Sequence, residues 1–426
     1  MKKLAYQNVK GTLDYLPREE KIRREIKKTI EDVFIQYGCK PIETPILNYQ
    51  ELLASKYAGG AEILEEMYTL SDRGKRELAL RYDLTIPFAK VIAMNPTIKM
   101  PFKRYEIGKV FRDGPTKTGR YREFTQCDVD IVGVSSQIAE VELMVMALDV
   151  FNKLNLEVTI QYNNRNLLVG LLRTFQVPKD KINRVILIID KMEKIELEEI
   201  KKELFGLGMT ESVVVAIQSF LEKPVEEMFG YFQTLLDEDG YIEKGLKEIT
   251  ELTCFLIKLG IEDKCIFNPF LARGLEIYTG TIYEIFLNDK RIKSSIGSGG
   301  RYDHAIGGLL GTDKEYATVG ISLGLDVIMS AIQMSENQDI GNSDIDYYVV
   351  SLGKQVEAFM IAKDLRDKGY NVELELGKKK ISKALEQANR EGVRKVILIG
   401  EEEVRGNYYK IKEMINGEER MVPFIY

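Results

Sequence analysis

Lys103-Arg104-Tyr105-Glu106-Ile107-Gly108-Lys109-Val110-Phe111-Arg112-Asp113-Gly114-Pro115-Thr116-Lys117-Thr118-Gly119-Arg120-Tyr121-Arg122-Glu123-Phe124-Thr125-Gln126-Cys127-Asp128-Val129-Asp130 is the densest polar cluster of the chain. It reads as two strands, about Lys103 to Phe111 and Phe124 to Val132, around a Gly/Pro/Lys/Arg loop. Alternation puts Phe124, Gln126, Asp128 and Asp130 on one face. A row of Phe, Gln and Asp is a poor core face, and charge alone favours a solvated hairpin, since most charge runs are surface. Arginines on both arms beside one polar face point instead to an anionic ligand, because guanidinium binds phosphate and carboxylate in bidentate fashion.

Upstream, Ile22, Ile26, Ile30, Val33, Phe34 and Tyr37 recur at helical spacing, so about Arg18 to Tyr37 form an amphipathic helix that Gly38 stops. Cys39 to Leu47 carries Pro41 and Pro45 and suits an edge strand or extended segment. Further extended runs stand at Glu77 to Arg81 and Glu157 to Tyr162, with a helix from about Ser136 to Leu154 before the latter. Residues 171–260 are Leu/Ile/Lys/Glu-rich helical segments, where 12 Lys and Arg against 17 Asp and Glu leave a net −5. Strand-like patterns return at Ile266 to Leu287, followed by a glycine-rich block from Ile296 to Asp303. A polar linker covers 333–344. Beyond it, strands at Tyr347 to Leu352, Asn371 to Leu376 and Lys395 to Gly400 alternate with helices near Gln355 to Lys368 and Ile381 to Arg390, a small α/β domain over 345–426.

Composition narrows the chemistry. A chain of 426 residues suggests two or three domains. The one histidine, His304, reads as a surface or turn residue, and Cys39, Cys127, Cys254 and Cys265 contain no C-x-x-C pair, which disfavours zinc sites and thioredoxin-like redox chemistry. No G-x-G-x-x-G or Walker pattern is present. The net charge of −6 argues against indiscriminate nucleic-acid binding, and no DNA partner is expected. Without an apolar leader or a membrane-length apolar run, the expectation is a cytoplasmic protein with no membrane partner, its four reduced cysteines small buried residues.

Other segments join the hairpin in order: Lys10-Gly11-Thr12-Leu13-Asp14-Tyr15-Leu16-Pro17, Leu80-Arg81-Tyr82-Asp83-Leu84-Thr85, Arg273-Gly274-Leu275-Glu276-Ile277-Tyr278-Thr279-Gly280, Gly299-Gly300-Arg301-Tyr302-Asp303 and Val319-Gly320-Ile321-Ser322-Leu323-Gly324-Leu325. Together these resemble the class II aminoacyl-tRNA synthetases, and among them the histidyl-tRNA synthetases, over essentially the whole chain. The helix and Pro45 segment is similar to motif 1, the hairpin to motif 2, Arg273 to Gly280 to the histidyl signature, and the last two segments to motif 3. The resemblance implies an α+β catalytic domain with an antiparallel sheet of class II type over 1–332, a helical insertion over 171–260, and an anticodon-binding-like α/β domain over 345–426.

What it implies for function is a ligase that activates histidine with ATP to histidyl-adenylate and transfers it to tRNA(His), as a homodimer formed through the motif 1 region. By the same resemblance Arg112 and Arg273 grip the α-phosphate and the substrate carboxylate, Arg273 being the catalytic cation. Phe124 lies against adenine and Arg120 reaches the distal phosphates. Asp83, Thr85 and Gln126 hold the amino end of histidine. Asp130 and the Tyr278 hydroxyl serve the two imidazole nitrogens, with Ile277 as a pocket wall. Mg2+ accompanies ATP as counter-ion, with no protein ligand assigned to it.

Three positions depart from the family pattern. Asp326-Val327 stands where an acid and a γ-phosphate arginine are usual, Ile277 replaces a tyrosine, and Gly114 replaces the acid two residues after the motif 2 arginine. Val327 raises a rival, a silent histidine-binding paralogue like the regulatory subunit of ATP phosphoribosyltransferase. Arg273, the full motif 2 arginine set and the C-terminal domain speak for the ligase.

Overall fold

The computed structural model describes residues 6–54, 65–117, 119–192, 195–235, 238–272, 277–289, 292–334, 344–377 and 379–425. The chain divides into two compact units, Met1–Ser335 and Glu336–Tyr426. Strands of the first unit are β1 (Lys40–Pro41), β2 (Leu47–Tyr49), β3 (Thr69–Ser71), β4 (Glu77–Leu80), β5 (Phe102–Phe111), β6 (Glu123–Val132), β7 (Val158–Asn164), β8 (Cys265–Phe267), β9 (Thr281–Leu287), β10 (Gly297–Arg301) and β11 (Thr318–Gly324). Eight of them form one sheet in the order β1-β5-β6-β11-β10-β9-β7-β8. Its interior pairs are antiparallel, and only the short edge pairs β1·β5 and β7·β8 run parallel. Pro41 lies on the edge strand, where a missing N–H costs no ladder bond. A smaller antiparallel sheet, β2-β4-β3, stands beside it. This is the α+β class II architecture, an antiparallel sheet with helices against it.

The helix Pro17–Gln36 starts on a proline, whose missing N–H is unpaired there anyway, and buries Ile22, Ile26, Ile30, Val33 and Phe34. Gly38, at φ +75°, reverses the chain after it. The sheet face that carries the polar row lies beside a second core, in which Tyr82, Ile86, Phe88, Val132, Ile277 and Tyr302 pack together. Helices from Arg165–Thr174 to Tyr241–Leu259 make up the helical region, and Phe220 in it meets Phe270 at 5.3 Å between ring centroids. Cys39, Cys127 and Cys265 are buried but Cys254 is exposed, on the outer face of Tyr241–Leu259, so one of the four cysteines departs from the expectation. His304 is half exposed, beside Glu315.

Within the second unit β12 (Tyr347–Ser351), β13 (Val372–Leu374), β14 (Lys395–Ile399), β15 (Tyr408–Glu413) and β16 (Glu419–Pro423) order as β13-β12-β14-β15-β16. Both faces of β12 are covered: Tyr347 and Val349 enter one core, Tyr348 and Val350 the other, the two-residue period of a central strand. Among the described residues no helix is long and apolar enough to cross a membrane.

Candidate active site

Register across the large sheet assembles the site. Asp130 pairs with Arg104 on one side and Gly320 on the other, and Gly320 pairs with Gly300. One row along, Asp128 pairs with Ser322, and Ser322 with Ser298. Because alternate residues share a face, the two rows open on the same side. At Gly320 an added Cβ would run into the Asp130 carboxylate, and at Gly299 into the Gly320 carbonyl, so these glycines are required by close approach.

A cleft with two parts follows. Its wider part is lined by Glu66, Arg112, Lys117, Arg120, Phe124, Gln126 and Val327 among others. The narrow recess is lined by Asp83, Thr85, Asp128, Asp130, Ile277 and Tyr278. Ser298 and Ser322 belong to both, so the two parts are continuous. Every site residue expected from the sequence therefore lines this cleft, except Arg273, which lies outside the described residues together with 274–276.

The recess is acidic around one buried cation. Arg104 is fully buried, its Nη2 2.6 Å from Asp130 Oδ2 and 3.1 Å from the Leu84 carbonyl, and its guanidinium lies over the Phe88 ring at 4.3 Å. Tyr302 donates its hydroxyl to the other Asp130 oxygen. Asp128 is buried with an Oδ1 that has no hydrogen-bond partner; burial pushes its carboxyl up to about 8, with Arg104 opposing and the neighbouring Asp130 adding. Burial likewise lifts Asp130. Asp83 is raised to about 6 by burial, against the lowering effect of the Ile86 N–H that it accepts at 3.1 Å. Such a pocket, poor in countercharge and rich in acceptors, suits an ammonium or a neutral N–H donor.

The wider part is cationic. Arg112 Nε donates to the Tyr82 carbonyl at 3.0 Å, which leaves the guanidinium 5.3 Å from the centroid of the Phe124 ring. Gln126 Nε2 donates to Ser322 Oγ at 3.0 Å, at the junction of the two parts. Behind the wall, Asp326 is buried in a knot: it pairs with Arg23, accepts from Tyr15 Oη at 2.6 Å and from the Thr125 N–H at 2.8 Å. The next residue, Val327, faces the cleft. Gly119, at φ +71°, abuts it, since an added Cβ there would stand 3.3 Å from Val327 Cα.

Sequence reasoning had not put Asp128, Arg104, Tyr302, Ser298 or Ser322 in the site. Asp128 carried a signal, its place on the Phe124, Gln126, Asp130 face; the others are set by cross-strand register, which a local pattern does not reveal. In the second unit, Lys379 is tied to Glu375 at 2.7 Å, while Lys380 and Lys383 at the start of Ile381–Arg390 are exposed. Lys378 lies outside the described residues.

The histidyl-tRNA synthetase family model matches residues 11–328 and an anticodon binding domain model matches 346–425. Histidine–tRNA ligase 2 of Shouchella clausii is 55% identical over 426 residues, covering 100% of both chains. Histidine–tRNA ligase 1 of Bacillus cereus is 51% identical over 421 residues, covering 99% of this chain and 98% of the relative. The crystal structure of histidyl-tRNA synthetase from Nostoc sp. PCC 7120 superposes with a TM-score of 0.81 at 29% identity, over 99% of this chain and 97% of that one. With full-length relatives named as ligases and an anticodon-binding unit present, the regulatory alternative is not favoured.

Proposed function

The chain belongs to the histidyl-tRNA synthetase family and is an ATP-dependent histidine–tRNA ligase, and on that premise we propose how its cleft divides the work. The observation that carries the assignment is the continuity, at Ser298 and Ser322, of an arginine-and-aromatic cleft with an acidic recess. ATP takes the wider part, adenine against Phe124, with Arg112 on the α-phosphate and Arg120 toward the distal phosphates. Histidine enters the recess. Its ammonium meets Asp83, Thr85 and Gln126, joined by the unpartnered oxygen of Asp128. Its imidazole lies between Asp130 and Tyr278 beside Ile277.

The substrate carboxylate then sits at the junction and attacks the α-phosphorus; the new P–O bond forms as the bond to pyrophosphate breaks. No protein nucleophile is needed, so catalysis is positioning and charge stabilisation by Arg112 and Arg273. In the second step a terminal ribose hydroxyl of the tRNA attacks the histidyl carbonyl and AMP leaves. Magnesium, as the counter-ion of ATP, would supply charge neutralisation on the phosphates; among the described residues no group of three or more His, Cys, Asp or Glu is gathered for a metal.

The proposal extends to tRNA(His) as acceptor, to residues 1–332 and 345–426 as domains either side of a 333–344 linker, and to a cytoplasmic homodimer. Exposed Ile46, Leu47 and Tyr49 in the motif 1 region support the dimer. Histidine-dependent ATP–pyrophosphate exchange followed by tRNA charging tests the residue roles. Arg112→Ala should lower exchange at least a hundredfold, and Arg273→Ala likewise. Exchange unchanged in either variant refutes the role given to that arginine.

A further inference from the structure

The motif 2 hairpin lacks its usual acid, since Gly114 stands two residues after Arg112. Asp113, the nearest acid in sequence, does not replace it: its carboxylate pairs with Arg122 at 2.9 Å and faces the Tyr68 hydroxyl, and it is not among the cleft-lining residues. The space that a side chain at 114 would fill is nevertheless occupied by a carboxylate. A Cβ built on Gly114 would stand 2.5 Å from Glu66 Oε1, 2.9 Å from its Cδ and 3.2 Å from its Oε2. Backbone pairing holds Glu66 there, the Asp113 N–H donating to the Glu66 carbonyl at 2.8 Å. Glu66 lines the wider part of the cleft together with Phe124 and Arg112. Neither a hydrogen bond nor an ion pair engages its carboxylate among the described residues.

We infer that Glu66, reaching across from the segment before β3, supplies the acid that motif 2 lacks and reads the 6-amino group of adenine. The chemistry is one of matching: a carboxylate only accepts, and the exocyclic amine of adenine presents N–H donors at the edge of a ring whose face lies on Phe124. Gly114 is the other half of the arrangement, because any side chain there would expel the Glu66 carboxylate. The inference rests on the placement of adenine at Phe124, so the experiment separates the two.

Full-length wild type and variants are compared in histidine-dependent pyrophosphate exchange with ATP, with purine riboside triphosphate, which lacks the 6-amino group, and with ITP, whose 6-oxo group accepts. Removing a negative charge would on its own help any triphosphate bind, so the ratio between nucleotides is the informative quantity. Glu66→Ala should lower the kcat/KM preference for ATP over purine riboside triphosphate about tenfold or more, the loss of one charge-assisted hydrogen bond. Glu66→Gln, which keeps the shape, should shift preference toward ITP, because its amide can donate. Adding Gly114→Glu to Glu66→Ala should restore the ATP preference. If both single variants lower kcat/KM for all nucleotides alike, or change none, Glu66 only braces the turn and the inference fails. Phe124→Ala provides the separation: if it leaves the KM for ATP unmoved, the adenine placement itself is wrong. If it raises that KM while the Glu66 ratios stay at the wild-type value, only the inference is overturned.

Discussion

Replacing Arg104 by Met is the sharpest test of the recess as a charge-balanced device. The side chain is fully buried and faces Asp130 at 2.6 Å, with Glu106 at 3.8 Å and the Phe88 ring beneath it. Glu106 keeps Arg81, at 2.7 Å, but Asp130 is left with only the Tyr302 hydroxyl, and Asp128 keeps an oxygen without a partner. Removing one member of a buried ion pair typically costs about 3–5 kcal/mol, because the other charge is stranded. The sign of the pH dependence follows from the carboxyls. Burial raises Asp128 to about 8 and raises Asp130 above their unfolded value, so the fold disfavours their ionised forms. The stability they allow is complete below the unfolded carboxyl pKa and is lost as pH rises through the folded one. Without Arg104 both folded values move further up, and above its wild-type folded value, about 8 for Asp128, a carboxyl widens the gap to wild type by up to about 1.4 kcal/mol per pH unit. Urea unfolding at pH 8 should therefore show the variant about 3–5 kcal/mol less stable, with a deficit that grows further as pH rises above about 8 through Asp128. A deficit under about 1 kcal/mol at pH 8, or one that does not grow between about pH 8 and pH 9.5, would refute Arg104 as the countercharge of the recess.

Two further outcomes follow from the same cleft. Asp83 and Asp128, raised by burial to about 6 and about 8, must ionise to receive an ammonium, so affinity should fall as pH drops from 8 to 5.5. Calorimetry with a histidine analogue whose ring stays neutral in that range should also record proton release on binding, and a pH-independent affinity would exclude these carboxylates from the ammonium site. Returning the arginine with Val327→Arg should not improve exchange, because the turn at Gly119 already stands against that position. The KM for ATP is expected to rise about tenfold, the scale of one overpacked side chain, and a fall would show that the turn yields.

Strand alternation alone put Phe124, Gln126, Asp128 and Asp130 on one face, and their common placement in the cleft follows from local geometry. The edge position of Pro41 and the helix ending before Gly38 were legible for the same reason: each depends on neighbours in sequence. Glu66 was not, because it is brought to Gly114 by pairing between segments nearly fifty residues apart. Arg104 was hidden differently. In a polar run it reads as surface, and only the packing of Leu84 and Phe88 over it, which no local pattern announces, turns it into a buried cation. The glycine block at 297–300 is an interior strand with β9 and β11 on its two sides, a placement that glycine content does not distinguish from a turn. The hairpin β15–β16 passed unread since β16 exposes most of its side chains and lacks an apolar face.

With histidine in the recess as proposed, the glycine row behind it sets a hard limit on what the enzyme accepts. A pocket floored by side chains can yield by a change of rotamer, and its discrimination is then graded. Here Gly300 and Gly320 bring the main chain itself to the floor, and hydrogen-bonded strands in the middle of an eight-stranded sheet cannot step aside. The recess thus works as a fixed gauge. A larger amino acid would be turned away by backbone, and any attempt to widen its choice of substrate has to begin at the opposite wall, with Ile277 and Tyr278.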